Sequence, residues 1–110
     1  MTVKDMKDAL NLRVFAGEGN LGNVIKGGYT SDLLSDVMGH AEANHMWITL
    51  QTHKNIMAVA SLKELAAIVL VKGYEPDADT LDLAKQEGIP ILGTGEEAFE
   101  TSGRLYGLLH

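Results

Sequence analysis

The amino-acid sequence predicts an α/β fold: a three-layer α/β/α sandwich around a small, mainly parallel sheet. Three observations predict it. Short segments of β-formers alternate with segments of helical period at intervals of ~20 residues, the mark of βα units. The run Ala67-Ile68-Val69-Leu70-Val71 is apolar at every position, as in a strand covered by helices on both faces. Pro76 and Gly88 bracket a helix-period segment in the order in which proline opens helices and glycine closes them. At 110 residues, one domain spanning 1–110 is expected, with roughly two thirds of the unfolded surface buried.

Each element has its own warrant. Residues 2–10 read as a helix: Thr2 and Asp5 form a capping pair, and Val3, Met6 and Leu10 fall on one face. Leu12 to Phe15 reads as a strand, followed by the turn cluster Gly17-Glu18-Gly19-Asn20. A short extended piece is expected over residues 23–28. Thr30, Ser31 or Asp32 then caps a helix whose apolar stripe is Leu33, Leu34, Val37, Met38 and Ala41. Met46 to Leu50 is a strand, Gln51 to Asn55 a polar loop or cap, and Ile56 to Ala60 a buried helical turn. Ser61 restarts it, with Leu62 and Leu65 facing inward. After the apolar run, Asp77, Asp79 and Asp82 favour the positive end of the next helix, whose inward face is Ala78, Leu81 and Ala84. Ile89 to Leu92 is a strand, with Pro90 at its start or near an edge. Thr94 and Glu97 match a capping box for a last helix, with Ala98, Ser102, Leu105 and Leu109 on one stripe and Phe99 and Tyr106 beside it.

The composition excludes several function classes. Net charge is −6 with scattered Lys and Arg, which argues against nucleic acid and anionic membrane as partners. There is no cysteine, so disulfides, thiol nucleophiles and Cys-ligated clusters are out. The amino terminus lacks an apolar signal core and no apolar run approaches the ~20 residues of a membrane span. A cytoplasmic location is expected.

Candidate chemistry is sparse. Gly17-Glu18-Gly19-Asn20-Leu21-Gly22 has G-x-G-x-x-G spacing, but Asn23 to Gly28 is a poor helix start, so a glycine-rich turn is the better reading. His40, His45 and His53 lie close in sequence, yet the five-residue step from His40 to His45 does not place them on one helix face, and solvent-exposed loop histidines are favoured over a metal site. His53 follows a strand end, where an acid–base role ranks below helping Thr52 and Asn55 to cap the next helix. Asp32 and Asp36, four apart on one helix, suit Mg²⁺ or acid–base work, but complementing the helix dipole is the favoured reading. Trp47, Met38, Met46 and Met57 read as core or interface.

Ligands on α/β sheets bind beyond the carboxyl ends of the strands. That rim is Thr49 to Asn55, Gly73 to Asp77 and Gly93 to Glu97, with the Gly27-Gly28 pair as a fourth wall; with its helix N-termini and glycine turns it gives a tentative anion site at Gly28, Thr30, Ser31, Asp32, Thr52, His53, Thr94 and Gly95. Lys54 and Lys72 are the cations near it in sequence. No catalytic residue, metal ligand or cofactor is assigned.

The segments WITLQTHKNIMAVASLKELAAIVLVKG and EPDADTLDLAKQEGIPIL resemble the DRTGG domain, which accompanies CBS domains in regulated pyrophosphatases and occurs in phosphotransacetylases. Its fold is similar to the N-terminal domain of HPr kinase/phosphorylase. The opening GGYTSDLLSDVMGHA resembles small stand-alone members, some encoded near iron-only hydrogenase components. The Asp-Arg-Thr-Gly-Gly string and any phosphate loop are absent from this chain. The resemblance implies a noncatalytic regulatory or accessory domain that pairs with itself, with a protein partner possible and a link to hydrogenase or other redox or metabolic enzymes. The alternative is a sensor of a nucleotide or phosphorylated metabolite. For the homodimer, the interface is expected on the Leu33–Met38 helix or on the last helix around Leu105 and Tyr106.

Overall fold

The computed structural model describes all 110 residues. Helices α1 (Val3–Leu10), α2 (Leu34–His40), α3 (Asn55–Leu62), α4 (Ala78–Glu87) and α5 (Ala98–Leu109) surround strands β1 (Arg13–Ala16), β2 (Gly27–Thr30), β3 (His45–Thr49), β4 (Ala67–Leu70) and β5 (Ile91–Gly93). The five-stranded sheet has the order β1-β5-β4-β3-β2. β2, β3, β4 and β5 run parallel, while β1 is antiparallel to β5 at the edge. The expected three-layer sandwich is the observed one.

Side chains alternate across the sheet and build two cores. Met46, Ile48, Val69 and Leu92 face α1 and α5, meeting Val3, Met6 and Leu105. Trp47, Ile68, Leu70 and Ile91 face α2, α3 and α4, meeting Val37, Ile56, Met57 and Ala84. β4 is buried at every position, as its unbroken apolar run requires.

The α1 cap, the glycine-rich turn and the place of Pro90 hold as read. Thr2 Oγ1 accepts from the Asp5 N–H at 3.2 Å and Asp5 Oδ2 from the Thr2 N–H at 2.9 Å, completing the capping box of α1. The G-x-G-x-x-G segment is a turn containing a single 3-10 turn at Glu18–Asn20. Gly17 has φ +80° and lies against the Pro90 backbone, where no Cβ fits. Pro90 stands just before β5, so its missing N–H costs the sheet nothing.

Several expectations change. The extended piece is shifted, and Gly27-Gly28-Tyr29-Thr30 is itself a strand. None of Thr30, Ser31 and Asp32 caps α2, which begins after Leu33 without a side-chain cap. Leu62 is 70% exposed, because α3 runs on through Leu62 and stops with Glu64 left-handed at φ 54°. Leu65 is buried beyond that stop. Ala78 is exposed and the buried first-turn residue of α4 is Thr80, whose hydroxyl donates to the Thr52 carbonyl at 2.8 Å. The Thr94–Glu97 capping box does not form: Thr94 Oγ1 accepts from Glu96 N–H at 3.2 Å instead.

Candidate functional site

The carboxyl ends of the four parallel strands make a rim carrying Thr30, Thr49, Leu70 and Gly93. Because β1 is antiparallel, its beginning, not its end, joins this rim: Arg13 pairs with Gly93.

The tentative site residues divide into four groups. Gly28 and Thr30 face α5: the Thr30 and Ser102 hydroxyls share a 2.7 Å hydrogen bond, beside a cavity of about 200 Å³ under Leu105, Tyr106 and Leu109. Ser31 and Asp32 tie β2 to β3. The Ser31 carbonyl accepts from Trp47 Nε1–H at 2.8 Å, and Asp32 Oδ1 accepts from Thr49 Oγ1–H at 2.8 Å and Leu50 N–H at 2.9 Å. Gln51 Nε2 donates back to the Asp32 carbonyl at 2.9 Å. Thr52 and His53 lie where α3 meets α4. The Thr52 carbonyl accepts from Asp77 N–H and from Thr80, and His53 Nδ1 accepts from Asn55 N–H at 3.2 Å. Thr94 and Gly95 form the wall of a second cavity. The groups of Asp32 and Thr94 that were expected to meet a ligand therefore have partners within the chain.

Asp32 and Asp36 do not converge. Tyr29 Oη–H donates to Asp36 Oδ2 at 2.9 Å, and His40 Nδ1 lies 3.2 Å from Asp36 Oδ1. Hydrogen bonding from Ser31 first, then from Tyr29, with His40 close by, holds the Asp36 carboxyl below the usual carboxylate range. Removal from water, then the Asp36 partner, raises the Tyr29 phenol. These contacts fasten α2 to β2. No group of three His, Asp or Glu side chains gathers to hold an ion.

The second cavity, of about 210 Å³, is lined by Asn11, Arg13, Phe15, Gly73, Tyr74, Gly93, Thr94 and Gly95. β1 bulges between Val14 and Ala16, a device that re-aims a side chain, and Phe15 sits at that bulge. Its ring covers Gly93, where a Cβ would stand 2.5 Å from Phe15 Cε2. The Arg13 guanidinium lies over the ring, 4.7 Å from its centroid, and pairs loosely with Glu75 at 3.5 Å. The loops after β4 and β5 are joined by Lys72 N–H to the Glu96 carbonyl at 2.8 Å and Gly73 N–H to the Thr94 carbonyl at 2.9 Å. They then diverge: β4 leads to α4 on one face and β5 to α5 on the other. Such a divergence is where open α/β sheets leave a crevice. Tyr74 lies in the rim stretch Gly73 to Asp77 expected from the sequence, whereas Arg13 and Phe15 went unread because strand direction, which brings Arg13 to the rim, has no local signature.

No helix is long and apolar enough to cross a membrane. Comparison with curated proteins gives no match. Among solved structures, the chain is similar to the CBS and DRTGG domains of the regulatory region of Clostridium perfringens pyrophosphatase, a structure in complex with the activator diadenosine tetraphosphate. The TM-score is 0.74 at 15% identity, covering 94% of this chain but only 45% of that one. That likeness concerns the fold. The match along the sequence goes further: the DRTGG domain model covers residues 5–108, and with it the whole of the sheet just described, so the chain belongs to the DRTGG domain family.

Proposed function

We propose that the chain is a noncatalytic regulatory or accessory module that works as a homodimer paired through α5. The observation that carries this reading is the outer stripe of α5. Phe99 is 85% exposed and Tyr106 67% exposed, and seven residues apart they lie on one helical face. Gly103 lies between them, and a Cβ added there or at Gly107 would meet nothing within 4 Å. Glycine inside a helix costs about 0.5–1 kcal/mol relative to alanine, and nothing within the chain demands it at these positions. A second helix approaching across a two-fold axis gives the notch an occupant and covers both aromatic rings. Leu105 is 3% exposed and belongs to the core, so Phe99 and Tyr106 take its place at the interface. The other expected surface, Leu33 just before α2 and Met38 on it, lies across the sheet and presents aliphatic side chains with no exposed aromatic ring.

The regulatory part of the reading is supported by the family and by the similar region of the pyrophosphatase, which is itself regulatory. Service to a hydrogenase or another redox or metabolic enzyme in the cytoplasm extends it, in line with the stand-alone relatives the sequence resembles. Sedimentation at tens of micromolar, on the order of common assay concentrations, tests the pairing. The wild type is expected to run as a dimer, and Tyr106→Asp as a folded monomer. A wild-type monomer at that concentration overturns it.

A second reading, a small-ligand sensor of a nucleotide or phosphorylated metabolite, is favoured by one observation: the cavity beside Arg13 at the strand-end crevice. The pyrophosphatase region binds a nucleotide activator, though this chain spans less than half of it.

A further inference from the structure

We infer that the cavity between Arg13 and Tyr74 is a site for a small anion carrying a flat aromatic ring, and that Glu75 occupies the anion's place when the ligand is absent. The inference rests on the sensor reading and assigns that reading its residues and its ligand chemistry.

The walls supply both halves of such a ligand's recognition. Phe15, packed on Gly93, carries the Arg13 guanidinium over its ring. A guanidinium presents parallel N–H donors that match the two oxygens of a carboxylate or phosphate. Stacking on Phe15 reduces the rotamer freedom that an exposed arginine otherwise loses on binding. Opposite, Tyr74 is 47% exposed and lines the same cavity. An aromatic side chain half in water beside a cavity is a surface for stacking.

The backbone adds a donor and room. The Gly95 N–H has no acceptor within the chain, and Gly95 lines the same cavity. Gly73 takes φ +75° and, like Gly95, has no atom within 4 Å of where a Cβ would stand. Both loops therefore let a ligand approach the main chain. Their walls are fixed relative to each other by the two hydrogen bonds from Lys72 and Gly73, so the site is formed in advance. A volume of about 210 Å³ is below the ~300–1,000 Å³ of drug-sized pockets. It suits one ring and one acidic group, with any remainder of the ligand in solvent.

The local charges identify Arg13 as the cation this site offers. Arg13 is the one Lys or Arg side chain that lines the cavity; Lys72, near Glu97 at 3.9 Å, and Arg104, paired with Glu96 at 3.0 Å, lie outside its walls. Arg13 has only Glu75, at 3.5 Å, with both side chains more than 60% exposed. An exposed pair of this kind is worth little, so a ligand oxyanion held in part by Gly95 displaces Glu75 readily. Glu75 then sets the threshold: it competes with weak anions and yields to one that also stacks on Tyr74.

The test uses three probes on the full chain, followed by amide chemical shifts: 5′-AMP (ring and anion), adenosine (ring alone) and inorganic phosphate (anion alone). AMP is expected to bind in the range of about 0.1–1 mM, shifting the amides of Arg13, Gly73, Tyr74 and Gly95. Adenosine and phosphate are each expected to bind at least tenfold more weakly. Arg13→Gln is expected to weaken AMP tenfold or more, Tyr74→Ala severalfold, and Glu75→Gln to tighten it about threefold. Arg13, Tyr74 and Glu75 are all exposed, so unchanged thermal unfolding of the variants is expected and shows that folding is not the cause. AMP shifts centred on Asp32, Thr52 and His53 overturn the assignment while leaving a sensor elsewhere on the rim. AMP affinity unchanged in Arg13→Gln, or tightening absent in Glu75→Gln, also overturns it. No shifts with any probe at about 5 mM, beyond the weak-binding limit, remove both the assignment and the sensor reading.

Discussion

Asp32 and Thr49 are joined across the β2–β3 strand ends by a 2.8 Å hydrogen bond, in which a Thr49 hydroxyl that is 1% exposed donates to the Asp32 carboxylate. The same carboxylate oxygen takes the Leu50 N–H. Asp32 thus closes the loop after β2. Asp32→Ala leaves a buried hydroxyl without its acceptor, a loss of about 1–3 kcal/mol. Urea unfolding of Asp32→Ala and Asp32→Asn checks this, with the asparagine variant, which retains an acceptor oxygen, expected to recover part of the loss.

Gly28 and Leu105 meet where α5 crosses β2. A Cβ on Gly28 would stand 2.5 Å from Leu105 Cδ2 and 3.5 Å from the Met46 carbonyl oxygen. Gly28→Ala forces Leu105 out of its packed position and is expected to cost about 1–3 kcal/mol by overpacking. Gly19→Ala, where the added Cβ meets nothing within 4 Å, is the matched control and is expected to be near neutral. Thermal unfolding of the pair separates packing from the general effect of losing a glycine.

Gly103→Ala is expected to act in opposite directions on folding and on pairing. It relieves a helix-interior glycine, raising the stability of the single chain by about 0.5–1 kcal/mol. It also fills the notch between Phe99 and Tyr106, so the dimer should dissociate at lower dilution. Unfolding measured at concentrations above and below dimer formation reads the two effects separately. A variant that is both more stable and equally dimeric contradicts the α5 interface.

The Tyr29–Asp36 contact gives stability a defined pH response. The Asp36 carboxyl is lowered from 3.8, so the folded state binds its proton less tightly than the unfolded chain. Its contribution is fully present above 3.8 and is lost as pH falls through the lowered value. The Tyr29 phenol is raised from 10.0, so its contribution is present below 10.0 and lost as pH rises through the raised value. Tyr29→Phe should therefore be less stable than the wild type near neutrality, with the gap closing at both extremes. Urea midpoints across the pH range check this.

Thr2→Ala removes the capping box of α1 and is expected to cost about 1 kcal/mol. Asp5 shares the dependence: hydrogen bonding from the Thr2 backbone, then from its hydroxyl, holds the Asp5 carboxyl below its ordinary value. The Thr2→Ala deficit, read by urea unfolding, should shrink as Asp5 is protonated in acid.

Two matching patterns show what a sequence conveys. Thr2–Asp5 and Thr94–Glu97 have the same spacing, yet only the first becomes a capping box. At α1 both partners belong to one local turn. After β5, the Glu96 carbonyl is held by Lys72 N–H from another loop, which turns Glu96 N–H onto the Thr94 hydroxyl. β4 was legible because burial on both faces is written into consecutive residues. Thr80 was not, since its reason for burial is the Thr52 carbonyl on a different element. The candidate site followed the same rule: Thr94 and Gly95 were found by being near a strand end. Arg13 was missed because the antiparallel direction of β1 is decided by its partner.

That partner is also the last strand made. Arg13 to Ala16 pair with Ile91 to Gly93 and with no other strand. During synthesis β1 therefore emerges early and stays unpaired until β5 appears, while β2, β3 and β4 are already able to assemble side by side. Until then the far side of β4 is an open edge of apolar backbone, the kind that invites association with other chains. A chain interrupted before Ile91 leaves both that edge and β1 without a neighbour, so completion of the sheet waits for the final strand and helix to be released.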